Sequence, residues 1–231
     1  MAKILFVMTG ATYWTLNDGT RHPTGYWAEE FVAPYSAFRD AGHEIVVATP
    51  GAIAPTVDAV SLTPDMAGGE DAAKNQAAVI DGAEELRRTI DLGEVRLSDY
   101  AAVYYPGGHG PLEDLAFDRD SGQLLIDALG SGKPLGIVCH APAALRATVT
   151  DDGTTPFAGY RVSAFSNEEE RQVGLAEKAP WLVQDEVVSL GAKYDEGEPW
   201  APHIVVDRNL YTGQNPASAA PLAEELLKAL P

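Results

Sequence analysis

The sequence predicts an α/β protein built on a doubly wound, mostly parallel sheet sandwiched by helices. Short apolar runs alternate with stretches of helical periodicity along most of the chain, the pattern of strands joined through helices. One run, Leu135 to Val138, turns straight into a helical stretch at Cys139. A chain of 231 residues, 45% hydrophobic and 22% charged, is long enough to bury a full core as one domain over residues 1–231. In such sheets ligands sit at the carboxyl ends of the strands.

The first strand is read from Ile4 to Thr9, an apolar run too short for a secretory signal. A helix from Tyr26 to Ala41 follows, with Trp27, Phe31, Tyr35 and Phe38 at helical spacing on one buried face. Glu44 to Thr49 is the next strand. Between Pro50 and Tyr100 the chain changes character. Gly51, Pro55, Pro64, Gly68 and Gly69 precede a helical stretch around Glu84 to Ile90, and residues 51–100 are read as a small cap insertion beside the sheet. The alternation resumes with a strand Ala101 to Tyr105, a helix Ser121 to Gly130 and the strand Leu135 to Val138. Tyr160 to Phe165, Ile204 to Val206 and Leu210 to Thr212 read as further strands. Asn215 at an N-cap and Pro216 at the first helical position open a final amphipathic helix to Leu230.

Sixteen basic against 34 acidic side chains leave a formal charge of −18, which repels nucleic acid and anionic membrane surfaces. No stretch approaches the ~18 apolar residues of a membrane span. With Cys139 the single cysteine, no internal disulfide can form, and a free thiol suits a reducing cytoplasm. His22, His43, His109, His140 and His203 show no i,i+4 pair and there is no CxxC, so no metal is expected, with a loose site using His22 or His109 and an acid as the alternative.

Chemistry concentrates at four places. A sharp turn at Cys139 would lift its sulfur out of the sheet toward the N-terminus of the next helix, where the dipole and free backbone N–H groups favour a thiolate; adjacent His140 supports that reading over a small core hydrophobe. On the helix Tyr26 to Ala41, steps of about 100° per residue put Glu29 toward solvent and Glu30 at the edge of the apolar stripe. A carboxyl there is partly desolvated and shifted toward neutral pH, although an ordinary ion pair or an N-terminal helix charge is the plainer alternative. Pro34 cannot bond the Glu30 carbonyl, so a kink is expected. Tyr105-Pro106-Gly107-Gly108-His109-Gly110 follows a strand directly; its glycines either turn backbone N–H groups toward a small oxygen anion or satisfy a tight connection. One of Glu168, Glu169 and Glu170 could orient the His140 imidazole, or the run is a solvated helix start.

These motifs together resemble the ThiJ/PfpI superfamily, the parkinsonism-associated deglycase group, over nearly the whole chain. The resemblance is closest to its heat-shock-chaperone branch, the glutathione-independent glyoxalase III type, also described as type 1 glutamine amidotransferase-like. It rests on Thr24-Gly25 with Glu30 and Pro34, on Pro106 to Gly110, on Cys139-His140-x-Pro142-Ala143, and on Phe165-Ser166-Asn167 with its acids. Gly191 to Tyr194 and Thr212 to Ala219 complete it. The resemblance implies a flavodoxin-like fold, Cys139 as nucleophile, His140 and Glu170 as the rest of a triad, and Glu30 as proton shuttle. It further implies an oxyanion held by Gly107 and Gly108 with the His140 N–H. Glu170 is preferred because the family's acid stands a few residues past the Phe, shortly before a Gly that Gly174 matches. Ala141 replaces the family's usual Gly after Cys-His and is expected to narrow the pocket.

The implied reaction converts methylglyoxal or glyoxal to lactate or glycolate, with no cofactor, in a homodimer; a small reactive aldehyde is the partner. Two alternatives stand beside it: a stress-response holdase with an oxidation-sensing Cys139, and another cysteine-dependent enzyme such as an amidase, peptidase or isonitrile hydratase. Ammonia delivery is disfavoured, because His203-Ile204-Val205 lacks the late His-x-Glu pair of true glutamine amidotransferases.

Overall fold

A computed structural model describes residues 1–230. The chain runs through β1 (Lys3–Val7), a hairpin of β2 (Tyr13–Thr15) and β3 (Arg21–Pro23), α1 (Ala28–Asp40) and β4 (Glu44–Thr49). Then come α2 (Pro64–Ala67), α3 (Glu70–Gly82), β5 (Ile90–Asp91), β6 (Ala102–Tyr105), α4 (Arg119–Ser131) and β7 (Leu135–Val138). Beyond the elbow lie a 3-10 turn over Ala141–Thr148, β8 (Arg161–Val162), α5 (Asn167–Gln172), α6 (Val183–Ser189) and β9 (Lys193–Tyr194). β10 (Ile204–Asp207), β11 (Leu210–Gly213) and α7 (Ala219–Ala229) finish the chain.

Seven strands form one sheet in the order β10-β11-β7-β6-β1-β4-β5, parallel except where β10 runs against β11. β6 sits at the centre and β1 beside it, with Leu5 opposite Val46 of β4 on one side and Val103 of β6 on the other. β6 and β7 are buried along their whole length, which is why they read as unbroken apolar runs. From β1 the chain crosses to β4 in one direction along the sheet, and from β6 to β7 in the other. Right-handed crossovers therefore put α1 and α4 on opposite faces. α1 packs with α7, and α4 with the turn Ala141–Thr148. The reversal of strand order between β1 and β6 opens a crevice at their carboxyl ends. No helix is long and apolar enough to cross a membrane among the described residues.

Several expectations need correction. The stretch Glu84 to Ile90 is not a helix: it is a three-residue 3-10 turn, Glu84–Leu86, leading into β5, which pairs with β4 at the sheet edge. The helix of this segment is α3, where Ala72, Ala73, Ala77 and Ala78 favour the conformation but carry little apolar contrast. The expected strand Tyr160 to Phe165 shrinks to a two-residue pairing of β8 with β9, apart from the main sheet. Beyond it, Ser163 N–H goes to Thr212 Oγ1 and Phe165 N–H to the Cys139 carbonyl, so no ladder continues. Trp27 caps α1 and is half-buried, unlike Phe31, Tyr35 and Phe38. The Glu30 carbonyl that Pro34 leaves free accepts the Tyr104 hydroxyl at 2.8 Å.

Close packing of α4 on the turn Ala141–Thr148 depends on Gly122, where a Cβ would drive into the Ala147 carbonyl oxygen. Gly122→Ala is expected to cost about 1–3 kcal/mol by overpacking. Gly130→Ala, on the same helix but facing open space, should instead gain up to ~1 kcal/mol from helix propensity. Denaturant midpoints of the two variants check the opposite signs.

Candidate active site

The elbow is built by strain. Cys139 follows β7 at φ +61, a left-handed conformation that costs a non-glycine residue roughly 1–2 kcal/mol. It is held there because its N–H donates to the Gly213 carbonyl and its own carbonyl accepts the Phe165 N–H. The turn brings its sulfur to 3.2 Å from His140 Nδ1. His140 Nε2 in turn lies 2.6 Å from Glu170 Oε2.

The three consecutive glutamates are sorted by α5. Glu168 is exposed and pairs with Arg171. Glu169 closes the helix cap with Ser166 and also accepts from Trp200 N, Gln214 and Asn215. Glu170 points inward to the imidazole. Burial alone would raise its carboxyl, but His140 and His109 outweigh that and hold it well below the usual carboxylate range. An ionised carboxylate only accepts, so His140 carries its proton on Nε2 and presents Nδ1 to the thiol as an acceptor. Burial, helped by His109, holds the His140 imidazole down at about 4, against the pull of Glu170.

Glu30, in the first turn of α1, reaches the same place from the other side. Its Oε2 accepts the Gly107 N–H at 2.7 Å, its Oε1 has no hydrogen-bond partner, and its carboxyl faces the Cys139 thiol. Full burial pushes it up to about 8, against the lowering effect of the Cys139 and Gly107 contacts. The expectation of a thiolate made stable by a helix dipole is corrected here: the elbow leads into a 3-10 turn, and burial together with Glu30 pushes the Cys139 thiol up. Two acids in one dry enclosure cannot both ionise, and the upward shift of both leaves the carboxyl and the thiol protonated near neutral pH.

Gly107 is corrected as well. Its N–H is committed to Glu30, which leaves Gly108 as the backbone donor at the sulfur. Neither glycine admits a side chain. A Cβ on Gly107 would lie 2.6 Å from the Val138 carbonyl and 2.9 Å from Cys139 Cβ, and Gly108, at φ +92, abuts the Gly25 carbonyl.

Cys139 is 3% exposed and lines a small inner cavity with Gly108, His140 and Phe165. Trp27, His109, Val173, Trp200 and Pro216 border both this cavity and an outer chamber of about 760 Å³. Ala141 is fully buried and lines neither, so its methyl group does not narrow the pocket as expected. Nothing local in the sequence marks Trp200; it sits at φ +63, held by Glu169 through its N–H and by Gln172 through its indole. His109 is absent from the set of site residues expected from the sequence, yet it contacts Glu170 at 2.9 Å. Its place in the glycine turn is the one signal that points to it. Donor atoms of His109, His140 and Glu170 lie within 4.8 Å of one another; both imidazoles are already bonded to the carboxylate, so the trio is closed on itself.

Proteins similar to this chain match it over nearly its whole length. The chain is 29% identical to the protein/nucleic acid deglycase HchA of Pseudomonas aeruginosa, over 99% of this chain and 80% of the relative. It is 28% identical to the glutathione-independent glyoxalase HSP31 of Saccharomyces cerevisiae, over 99% of this chain and 98% of the relative. The crystal structure of glyoxalase III from Candida albicans superposes with a TM-score of 0.83 at 26% identity, covering 100% of this chain and 98% of that one. The DJ-1/PfpI family model matches residues 24–156, from ahead of Glu30 to beyond the Cys139 elbow. With more than half its length matched and the sheet and elbow in place, the chain belongs to the DJ-1/PfpI family.

Proposed function

We propose that this protein converts methylglyoxal and glyoxal to lactate and glycolate without glutathione, through a hemithioacetal on Cys139. The observation that carries the reading is a buried constellation in which the Cys139 thiol lies 3.2 Å from His140 Nδ1 and faces the raised, protonated Glu30 carboxyl. His140 Nδ1 takes the thiol proton, the thiolate attacks the aldehyde carbon, the S–C bond forms, and the protonated Glu30 carboxyl gives its proton to the aldehyde oxygen, aided by the Gly108 N–H. Glu30, now a carboxylate, removes the proton from that carbon to give an enediolate, whose hydroxyl proton passes to the former ketone oxygen. It returns the proton to the neighbouring carbon, which leaves an acyl thioester. Water adds to the thioester carbonyl, giving one proton to Glu30 as the sulfur leaves and recovers its own proton from His140, and the carboxylic acid is released. Net, the dicarbonyl gains one water and needs no outside oxidant or reductant. Relatives named as glyoxalases support the assignment.

The test is lactate formation from methylglyoxal by the purified protein in buffer free of glutathione and added metal. Cys139→Ala is expected to form none, and intact-mass analysis of the native protein during turnover should find a methylglyoxal adduct on Cys139. Continued lactate production by Cys139→Ala overturns the reading.

The outer chamber of about 760 Å³ far exceeds a three-carbon dicarbonyl and is of the size that takes drug-sized ligands. That volume favours a second reading, in which the dicarbonyl arrives as an adduct on a larger amine, the kind of activity named for the Pseudomonas relative. Release of N-acetylarginine from its methylglyoxal adduct, faster than spontaneous dissociation, separates the two readings.

A further inference from the structure

Glu170 is engaged by one imidazole more than an orienting acid requires. Its Oε2 takes the His140 Nε2–H at 2.6 Å, while its Oε1 meets His109 Nε2 at 2.9 Å. The two rings lie with centres 4.1 Å apart. His109 comes from the glycine turn after β6 and is 7% exposed. Trp14 stacks on it at 5.3 Å and His22 meets it edge-on at 6.2 Å. The reaction proposed above gives it no step.

We propose that His109 is a positioning residue which, by occupying the second oxygen of Glu170, keeps His140 a neutral imidazole with Nδ1 open toward Cys139. The proposal rests on the reading of Cys139 and His140 as reacting groups, but its main test does not. With both oxygens bonded, the Glu170 carboxylate cannot rotate, so Oε2 stays on the Nε2–H of His140 and fixes its tautomer. A second imidazole against the ring also opposes a proton arriving there. The charged and titratable groups facing His140 are Cys139, Glu170, His109 and, at longer range, Glu169. Facing His109 are Glu170, His140 and His22, with Asp58 beyond His22. Of these, Glu170 and Glu169 favour the imidazolium, while burial and His109 oppose it and prevail. Removing His109 takes away one of the two opposing influences, so His140 should hold its proton to higher pH.

The experiment is a ¹⁵N-histidine NMR titration of the full chain, its His109→Gln variant and its His109→Ala variant. Glutamine places an amide donor where the ring Nε2 stood, so it keeps the bond to Glu170 without the second imidazole ring. The His140 midpoint is expected to move up by about 1 pH unit in both variants. The Nε2–H tautomer should be retained in His109→Gln and become mixed in His109→Ala. Alkylation of Cys139 by iodoacetamide near neutral pH should speed up several-fold, because a more basic His140 takes the thiol proton more often. If methylglyoxal is turned over, the acid limb of its kcat/KM profile should move up with the midpoint. An unmoved His140 midpoint in the variants overturns the proposal. Should the native protein fail to turn over methylglyoxal while the midpoint shifts, the substrate assignment is lost and the role of His109 stands. If His109→Ala does not fold, His109→Gln carries the test alone.

Discussion

Glu30→Gln is expected to lower turnover of methylglyoxal by roughly 10²- to 10⁴-fold, the range for removing a positioned proton-transfer group. Cys139 should remain open to alkylation, because glutamine still accepts the Gly107 N–H and leaves His140 Nδ1 in place to take the thiol proton. The same substitution should stabilise the fold. The carboxyl sits at about 8 in the folded chain against 4.5 as its ordinary value, so between those limits the unfolded chain loses a proton that the folded chain keeps. Stability of the native protein therefore falls as pH rises from 4.5 toward 8, and is unaffected by this group below that window. Glutamine has nothing to lose. Its advantage should grow from about pH 5 to pH 8 and then level off, reaching on the order of a few kcal/mol for a group this deeply buried. Thermal midpoints across that range, set beside lactate assays, measure both sides. A variant that turns over normally and gains no stability at pH 8 would remove Glu30 from the proton path and from the buried acid pair together.

The parts of this site that could be read from sequence are those whose geometry is local. The elbow was legible because Leu135, Ile137 and Val138 declare a buried strand and Cys139 ends it. Glu30 was legible because helical steps from Phe31, Tyr35 and Phe38 set its direction. His109 was not, since its partner Glu170 stands 61 residues away and only the sheet order brings their loops together. The choice among three glutamates lay between these cases. Ser166-x-x-Glu169 is a capping-box pattern in the sequence, and assigning Glu169 to the cap would have left Glu170 on the inward side. The missed helix α3 is a failure of contrast: alanines favour the helix but draw no stripe. The thiolate expectation failed for a different reason. It weighed the dipole of a helix terminus, while the structure encloses the sulfur, and desolvation with a neighbouring carboxyl exceeds a terminal dipole.

Glu170→Gln should be nearly as damaging as loss of the thiol, although it changes one atom. The native carboxylate accepts from two Nε2–H groups at once. A glutamine amide in the same place offers one acceptor and one donor, so one of the two imidazoles must move its proton to Nδ1. When that ring is His140, Nδ1 points a hydrogen at Cys139 Sγ and can no longer take the thiol proton. Substituting the orienting acid so that the imidazole adopts the wrong tautomer lowers turnover by roughly 10⁴-fold in triad enzymes, and a loss of that order is expected here. Its neighbours are the controls. Glu168→Gln, on the exposed side of α5, should leave activity and stability unchanged. Glu169→Gln should lower the thermal midpoint, because the carboxylate accepts from Ser166, Trp200, Gln214 and Asn215 and an amide cannot accept from all of them. ¹⁵N shifts of His140 in Glu170→Gln read the tautomer directly. If they show Nε2–H unchanged while turnover collapses, the acid acts by charge rather than by holding the ring, and the orienting account of Glu170 must be given up.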